Sequence, residues 1–243
     1  MINKQFTDKK KFNAKMTNSD TNAKRCQVRC FLIGSSAVGK STLFKKLIKN
    51  NVDGEYLMTN RIAIEKRSYV QANNNTQQHI EAVLIDTPGI GGIYHKLVED
   101  VFNNIVAIDP KSIVFVAMFD VTNRTSFDQL DTFILNNNKP NFNNNNIIKF
   151  TEQSNSAAGI LLANKIDLTD KRVVSASEGL NKAKMFKLRY LECSALNDIT
   201  MQEFDQLLFD LVLTNNNNNN TNNNNNNNNN LSLVTAVADI SEN

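Results

Sequence analysis

The sequence predicts an α/β fold, a mostly parallel sheet with helices on both faces. Three observations carry that expectation. Short apolar runs of strand length alternate with longer amphipathic runs along the chain. Two strand runs, residues 112–120 and 159–165, are almost continuously apolar, as strands covered on both faces are. The strand runs end in polar or glycine-rich loops, and ligands of such sheets bind at the carboxyl ends of the strands.

Taken in order, VRCFLIG (28–34) is a short apolar strand, and STLFKKLIK (41–49) places Leu43, Phe44, Leu47 and Ile48 at helical spacing. IEAVLID (80–86) is a strand, and SIVFVAMFD (112–120) is a buried one. SFDQLDTFIL (126–135) lays Phe127, Leu130, Phe133 and Ile134 on one helical face. GILLANK (159–165) is a further buried strand. SASEGLNKAKMFK (175–187) opens with Ser175 and Glu178 at capping-box spacing, which predicts a helix start. YLECSA (190–195) is a strand, and MQEFDQLLFDLVL (201–213) carries Phe204, Leu207, Leu208, Leu211 and Val212 on one stripe.

The 243 residues suffice for one large domain with tails, and 41% hydrophobic with 21% charged is ordinary for a globular chain. No apolar run reaches membrane-spanning length, and the lysine-rich start lacks the apolar core of a signal peptide. The expected location is therefore cytoplasmic. Cys26, Cys30 and Cys193 are too few for a disulfide framework and lie in no ligand spacing with His79 or His95. They are read as reduced, packed thiols. Residues 1–24 form a basic arm, rich in Lys4, Lys9, Lys10, Lys11, Lys15 and Lys24, which reads as a solvated, disordered segment. It lacks the aromatic interleaving of a nucleic-acid surface, so no nucleic acid is expected. Asparagine fills residues 215–230 except at Thr221, and 215–243 is expected to be a disordered tail. Shorter asparagine clusters predict swollen loops at about 71–78 and 136–157 inside one domain, 25–214.

The loops at the strand ends carry the chemistry. GSSAVGKS (34–41) is G-x-x-x-x-G-K-S, directly after a strand and before a helix, the context a phosphate-binding loop requires. Its glycines permit a tight turn of inward amides, and the following helix adds its positive end. Gly34, Ser35, Ser36, Ala37, Val38, Gly39, Lys40, Ser41 and Thr42 are the expected phosphate-side residues, with Lys40 on the outer phosphates and Ser41 on magnesium. DTPG (86–89) places Asp86 where such folds hold magnesium, with Thr87 and the Gly89 amide beside a terminal phosphate. NKID (164–167) offers Asp167 to the paired donors of guanine, a pair that adenine lacks. Asn164 bonds the base or ties loops together, the Lys165 stem lies along the ring, and Leu168 follows. In CSAL (193–196), Ser194, Ala195 and Leu196 complete the base side, with the Ala195 amide addressed to the guanine oxygen.

In that order, GSSAVGKS, DTPG, NKID and SAL resemble the nucleotide loops of a small GTPase of the Ras superfamily. FDVTNRTSF (119–127) and YLMTNRIAIEKRSYV (56–70) are similar to the Rab branch. The resemblance spans roughly residues 26–213. It implies a P-loop G domain of six strands, bound GTP or GDP, and Mg2+ as cofactor. Thr59 follows Lys40 by the family's interval of nineteen residues, which implies the first-switch role: magnesium through its hydroxyl, the outer phosphate through its amide. Tyr56 matches the tyrosine that covers the phosphates. The implied metal set is Ser41, Thr59 and Asp86.

Departures from the family pattern are equally specific. Ile90 stands where a glutamine orients the attacking water. Pro88 replaces an alanine, and the stretch from Asp86 to Asp120 exceeds that of a typical Rab by about a third. Val52 replaces an aromatic ring against the base. No cysteine follows Cys193 and Ile2 follows Met1, so neither prenylation nor myristoylation is expected. The resulting expectation is a monomeric GTP-binding switch that hydrolyses slowly and serves vesicle traffic or signalling. It would have protein effectors and regulators, and only weak or indirect membrane contact through partners. The alternative is a nucleotide-bound interaction module with negligible hydrolysis. An ATPase or nucleotide kinase is disfavoured by Asp167 and Ala195.

Overall fold

The computed structural model describes residues 27–50, 58–73, 76–108, 113–135 and 159–221. The basic arm, Cys26, Val52, Tyr56 and the 136–157 insertion lie outside these residues. The elements are β1 (Gln27–Gly34), α1 (Lys40–Lys49), β2 (Ala63–Asn73), β3 (Thr76–Asp86), α2 (His95–Ile108), β4 (Ile113–Asp120), α3 (Arg124–Leu135), β5 (Gly159–Asn164), α4 (Ala176–Phe186), β6 (Arg189–Cys193) and α5 (Asp198–Thr221).

The six strands form one sheet in the order β2-β3-β1-β4-β5-β6. Only the β2–β3 pair is antiparallel. Every other neighbouring pair is parallel. The mostly parallel α/β sheet expected from the alternation is therefore present. Strand periodicity divides the core into two layers. Phe31, Ile33, Phe115, Ala117 and Phe119 face one side, with Val98 and Phe102 of α2, Leu130 and Ile134 of α3, and Phe186 of α4. Val28, Cys30, Leu32, Val114, Val116 and Met118 face the other, with Leu43 and Leu47 of α1 and Phe204, Leu208 and Leu211 of α5. Complete burial of β4 and β5 accounts for their unbroken apolar sequence.

The Ser175 expectation holds in detail. Its hydroxyl accepts from the Glu178 amide at 3.3 Å, and Glu178 Oε2 accepts from the Ser175 amide at 2.9 Å. Two boundaries differ from expectation. Residues 71–73 and 76–78 are paired strand rather than loop, with Gln71 opposite Gln78 and Asn73 opposite Thr76. Ladder bonds join backbones, so a polar sequence does not by itself end a hairpin whose turn can close. Helix α5 also runs into the asparagine tract, to Thr221. Extending a packed helix needs no new nucleus, and each added residue gains one hydrogen bond. The buried stripe of α5 reaches Val212, and Thr214 is already exposed. Helix α2 adds an element to those the sequence predicts, with Val98 and Phe102 at the i, i+4 spacing of its buried face.

Candidate nucleotide and metal site

The site is built on the carboxyl ends of β1, β3, β5 and β6 and the loops that leave them. After β1 the backbone turns through Ala37 at φ 63° and Gly39 at φ 103°, both left-handed. Gly39 is the N-cap of α1 and provides no side-chain cap, so the first amides of the helix stay available to an anion. Its lack of a side chain has a second cause. A Cβ at Gly39 would lie 2.2 Å from Asn164 Nδ2, which donates to the Val38 carbonyl at 2.8 Å. Gly34 is equally constrained, since its Cβ would lie 2.2 Å from the Met118 carbonyl oxygen.

Lys40 is 5% exposed and donates to the Gly34 and Ser35 carbonyls, both at 2.8 Å. Burial lowers its pKa to about 8, partly countered by the nearby Asp86 carboxylate. A desolvated ammonium hydrogen-bonded to neutral carbonyls favours a more negative partner, which a phosphate supplies. Ser36 and Ala37 are exposed at the loop's crest, Val38 is buried, and Thr42 is half-buried in the first turn of α1.

Beside the lysine, three oxygen groups converge. Ser41 Oγ donates to Asp86 Oδ2 at 2.6 Å, and lies 2.7 Å from Thr59 Oγ1. Asp86 is 3% exposed, and among the described residues its second oxygen, Oδ1, has no hydrogen-bond partner. Burial raises the pKa of this carboxyl, against the lowering effects of Ser41 and Lys40. A buried carboxylate with an orphaned oxygen, next to hydroxyls on two other segments, fits a hard divalent cation such as Mg2+. The expected metal set of Ser41, Thr59 and Asp86 is thus brought together from α1, the segment before β2, and the end of β3. Thr87 is a different case. Its hydroxyl is fully buried and donates to the Leu32 carbonyl at 2.7 Å, so its side chain pins β3 to β1.

On the base side, Asn164 ties loops together. Its Nδ2 holds the phosphate loop, and its Oδ1 accepts from the Ala195 amide at 3.2 Å. The Ala195 donor expected to address a guanine oxygen is here engaged by Asn164. Ser194 is buried and accepts from the Leu196 amide at 3.2 Å, while Leu168 closes a turn by donating to the Lys165 carbonyl at 3.0 Å. Asp167 is exposed and makes no hydrogen bond or ion pair among the described residues. Lys165 has a left-handed φ of 66°, and its ammonium lies 2.7 Å from Asp120 Oδ2. Leu196 is exposed.

Asp120 is a site residue that the motifs do not announce. It is 6% exposed at the end of β4, and its other oxygen accepts from the Thr122 amide and hydroxyl at 2.8 and 2.7 Å. It therefore anchors the lysine of NKID. The available signal was an aspartate closing a buried strand, the same pattern that singled out Asp86. The second surprise is Ile90. It is 3% exposed, its amide donates to the Gly34 carbonyl at 3.1 Å, and its side chain belongs to the cluster of Val98, Phe102 and Phe133. The residue in the water-orienting position is a core residue.

Cys30 and Cys193 are free and buried, which raises their pKa values to about 12 and about 11. Among the described residues, no cluster of His, Cys, Asp and Glu side chains forms a separate metal site.

The Ras family sequence model matches residues 29–214. The chain is similar to the Ras-related protein Rab-1 of Theileria parva, 27% identical over 177 residues, 72% of this chain and 69% of that protein. It is similar to the Ras-like protein rasU of Dictyostelium discoideum, 29% identical over 182 residues, 74% of this chain and 73% of the relative. The intraflagellar transport protein 27 homolog of Trypanosoma brucei brucei is 26% identical over 174 residues, 71% of this chain and 82% of its own.

Proposed function

The chain belongs to the Ras family, and from that premise we propose a Mg2+-dependent GTP/GDP switch that hydrolyses GTP slowly. The observation that carries this reading is the Ser41–Thr59–Asp86 cluster beside the desolvated Lys40, with Asp86 Oδ1 left without a partner among the described residues. Ser41 and Thr59 would hold the cation through hydroxyl oxygens and Asp86 through its carboxylate, directly or by way of water. When bound, the ion neutralises charge on the phosphate oxygens. Lys40 and the open amides of α1 would bind the phosphates. Asp167 would accept from the guanine edge, with Lys165 held along the ring by Asp120.

Slow hydrolysis is supported by Ile90, which has no hydrogen-bonding side chain and is turned into the core. The same observation favours a second reading, an interaction module that binds nucleotide and scarcely hydrolyses it. The partners proposed are protein effectors and regulators. Apolar side chains stand exposed on the first-switch segment at Met58, on β2 at Ile64, and at Ile93 and Leu97 on the segment that follows DTPG, the second switch of this reading. Rab-named relatives and one named for intraflagellar transport support a role in intracellular transport. Among the described residues, no helix is long and apolar enough to cross a membrane. Membrane contact is accordingly assigned to partners.

Single-turnover hydrolysis of GTP with Mg2+, together with release of bound GDP after chelation, tests this reading. The switch predicts turnover below the roughly 4 × 10⁻⁴ s⁻¹ of a glutamine-bearing relative, and GDP release that accelerates when Mg2+ is removed. Asp86→Asn should erase the Mg2+ effect. Release indifferent to Mg2+ in the unaltered protein would remove the metal assignment. A complete lack of turnover would select the interaction module.

A further inference from the structure

The second switch is tied to the phosphate loop by contacts made within the protein. Ile90 pairs with Ser35 as an isolated parallel bridge, its amide donating to the Gly34 carbonyl at 3.1 Å. The Ile90 side chain is buried with Val98 and Phe102 of α2 and Phe133 of α3. From α3, the Gln129 amide oxygen accepts from the Ser35 hydroxyl. Gly91, at φ +79°, runs so close to Gln129 that a Cβ would lie 3.0 Å from Nε2. The Gly91 amide donates to His95 Nδ1 at 3.3 Å, and the His95 ring stands edge-on to Phe133 at 5.8 Å. Between these ties, Gly89 is pressed against the phosphate loop, where a Cβ would lie 2.5 Å from the Ser36 nitrogen.

We infer that Ile90 and Gln129 are positioning residues for the outer phosphate, holding Gly89 beside the phosphate loop whichever nucleotide is bound. The inference rests on the guanine-nucleotide reading above. Ile90 supplies the apolar anchor in the core, and Gln129 fixes the loop root from α3. A donor segment already in place needs no ordering when the ligand arrives. A ligand shifts an element only through differential affinity for its two states. A second switch so anchored would report little of the nucleotide state, and Thr59 on the first switch would report most of it.

The full chain, loaded with GDP or with a non-hydrolysable GTP analogue, would be compared by hydrogen exchange. The expected result is equal protection across residues 89–104 in both states, with extra protection of residues 58–62 by the triphosphate. Gln129→Ala should lower the preference for triphosphate over diphosphate by about three- to tenfold, the range of a lost neutral hydrogen bond, while GDP affinity holds. Ile90→Val, which keeps an apolar anchor, should lower it less. Protection of 89–104 that rises with the triphosphate overturns the inference. So does a Gln129→Ala loss shared equally by both nucleotides, since a merely structural role predicts that. Absence of protection at residues 34–42 with either nucleotide instead defeats the functional reading on which the inference stands.

Discussion

The phosphate loop and the second switch leave neighbouring strands and touch at Gly34, yet they use their residues oppositely. In the phosphate loop and around Ser41, Thr59 and Asp86, polar groups converge at the carboxyl ends of the strands. Lys40 is desolvated onto carbonyls, Ser41 is hydrogen-bonded to Asp86 and close to Thr59, and among the described residues Asp86 keeps an oxygen without a partner. In the second switch the chain turns Ile90 inward, and the groups around it bond one another across elements. Ile90 is buried, Gly91 meets His95, and Ser35 meets Gln129. One loop is arranged to receive charge and the other to stay in place. The position where the family places a glutamine is here occupied by a packed core residue beside an intact phosphate-loop geometry.

The contrast can be broken in order of expected effect. Lys40→Ala should reduce nucleotide affinity by at least about a hundredfold, because charge-assisted bonds to phosphate are lost; calorimetric titration with GDP and Mg2+ measures it. A smaller loss would mean that the amides of α1 carry the phosphates alone. Ile90→Gln tests the other loop. It should destabilise the protein by about 2–4 kcal/mol, since a buried amide would replace a packed side chain. Thermal or urea unfolding reads this directly. A stable Ile90→Gln protein with faster hydrolysis would show the position to be catalytic after all. Ala37→Gly should stabilise by about 0.5 kcal/mol, as relief of a left-handed alanine outweighs the added freedom of glycine in the unfolded chain. A change remote from both loops sets the baseline. Arg124 and Ser175 hold the Glu178 pKa down at about 2. Its contribution is present above the ordinary carboxylate range and is lost as pH falls from about 4.5 toward about 2. Glu178→Gln should flatten that part of the acid-unfolding profile and leave nucleotide affinity alone.

What was legible in the sequence follows the same division. The phosphate loop could be read because its spacing and its strand-before, helix-after context are local. The buried strands could be read because an unbroken apolar run of strand length suits a strand covered on both faces. Ile90 could not be placed, because its role depends on Phe102 and Phe133, which reach it only through the fold. Asp120 and Gln129 were missed for the same reason: their partners Lys165 and Ser35 are distant in sequence. Motif position assigns Thr87 and Ala195 to the nucleotide but does not disclose the bonds they make inside the protein, from the Thr87 hydroxyl to Leu32 and from the Ala195 amide to Asn164. Motif position gathers these residues at one edge of the sheet and leaves open which of their atoms stay free. The strand pairing of residues 71–73 with 76–78, and the extension of α5 to Thr221, show that polar composition alone does not end an element already templated by its neighbour.

The most direct test of the central claim is competition between GDP and ADP for the Mg2+-bound protein, repeated with Asp167→Asn. GDP is expected to bind at least about a hundredfold more tightly than ADP, and Asp167→Asn to remove most of that preference while Lys40-dependent phosphate binding persists. Equal binding of GDP and ADP by the unaltered protein, or a preference untouched by Asp167→Asn, would contradict it.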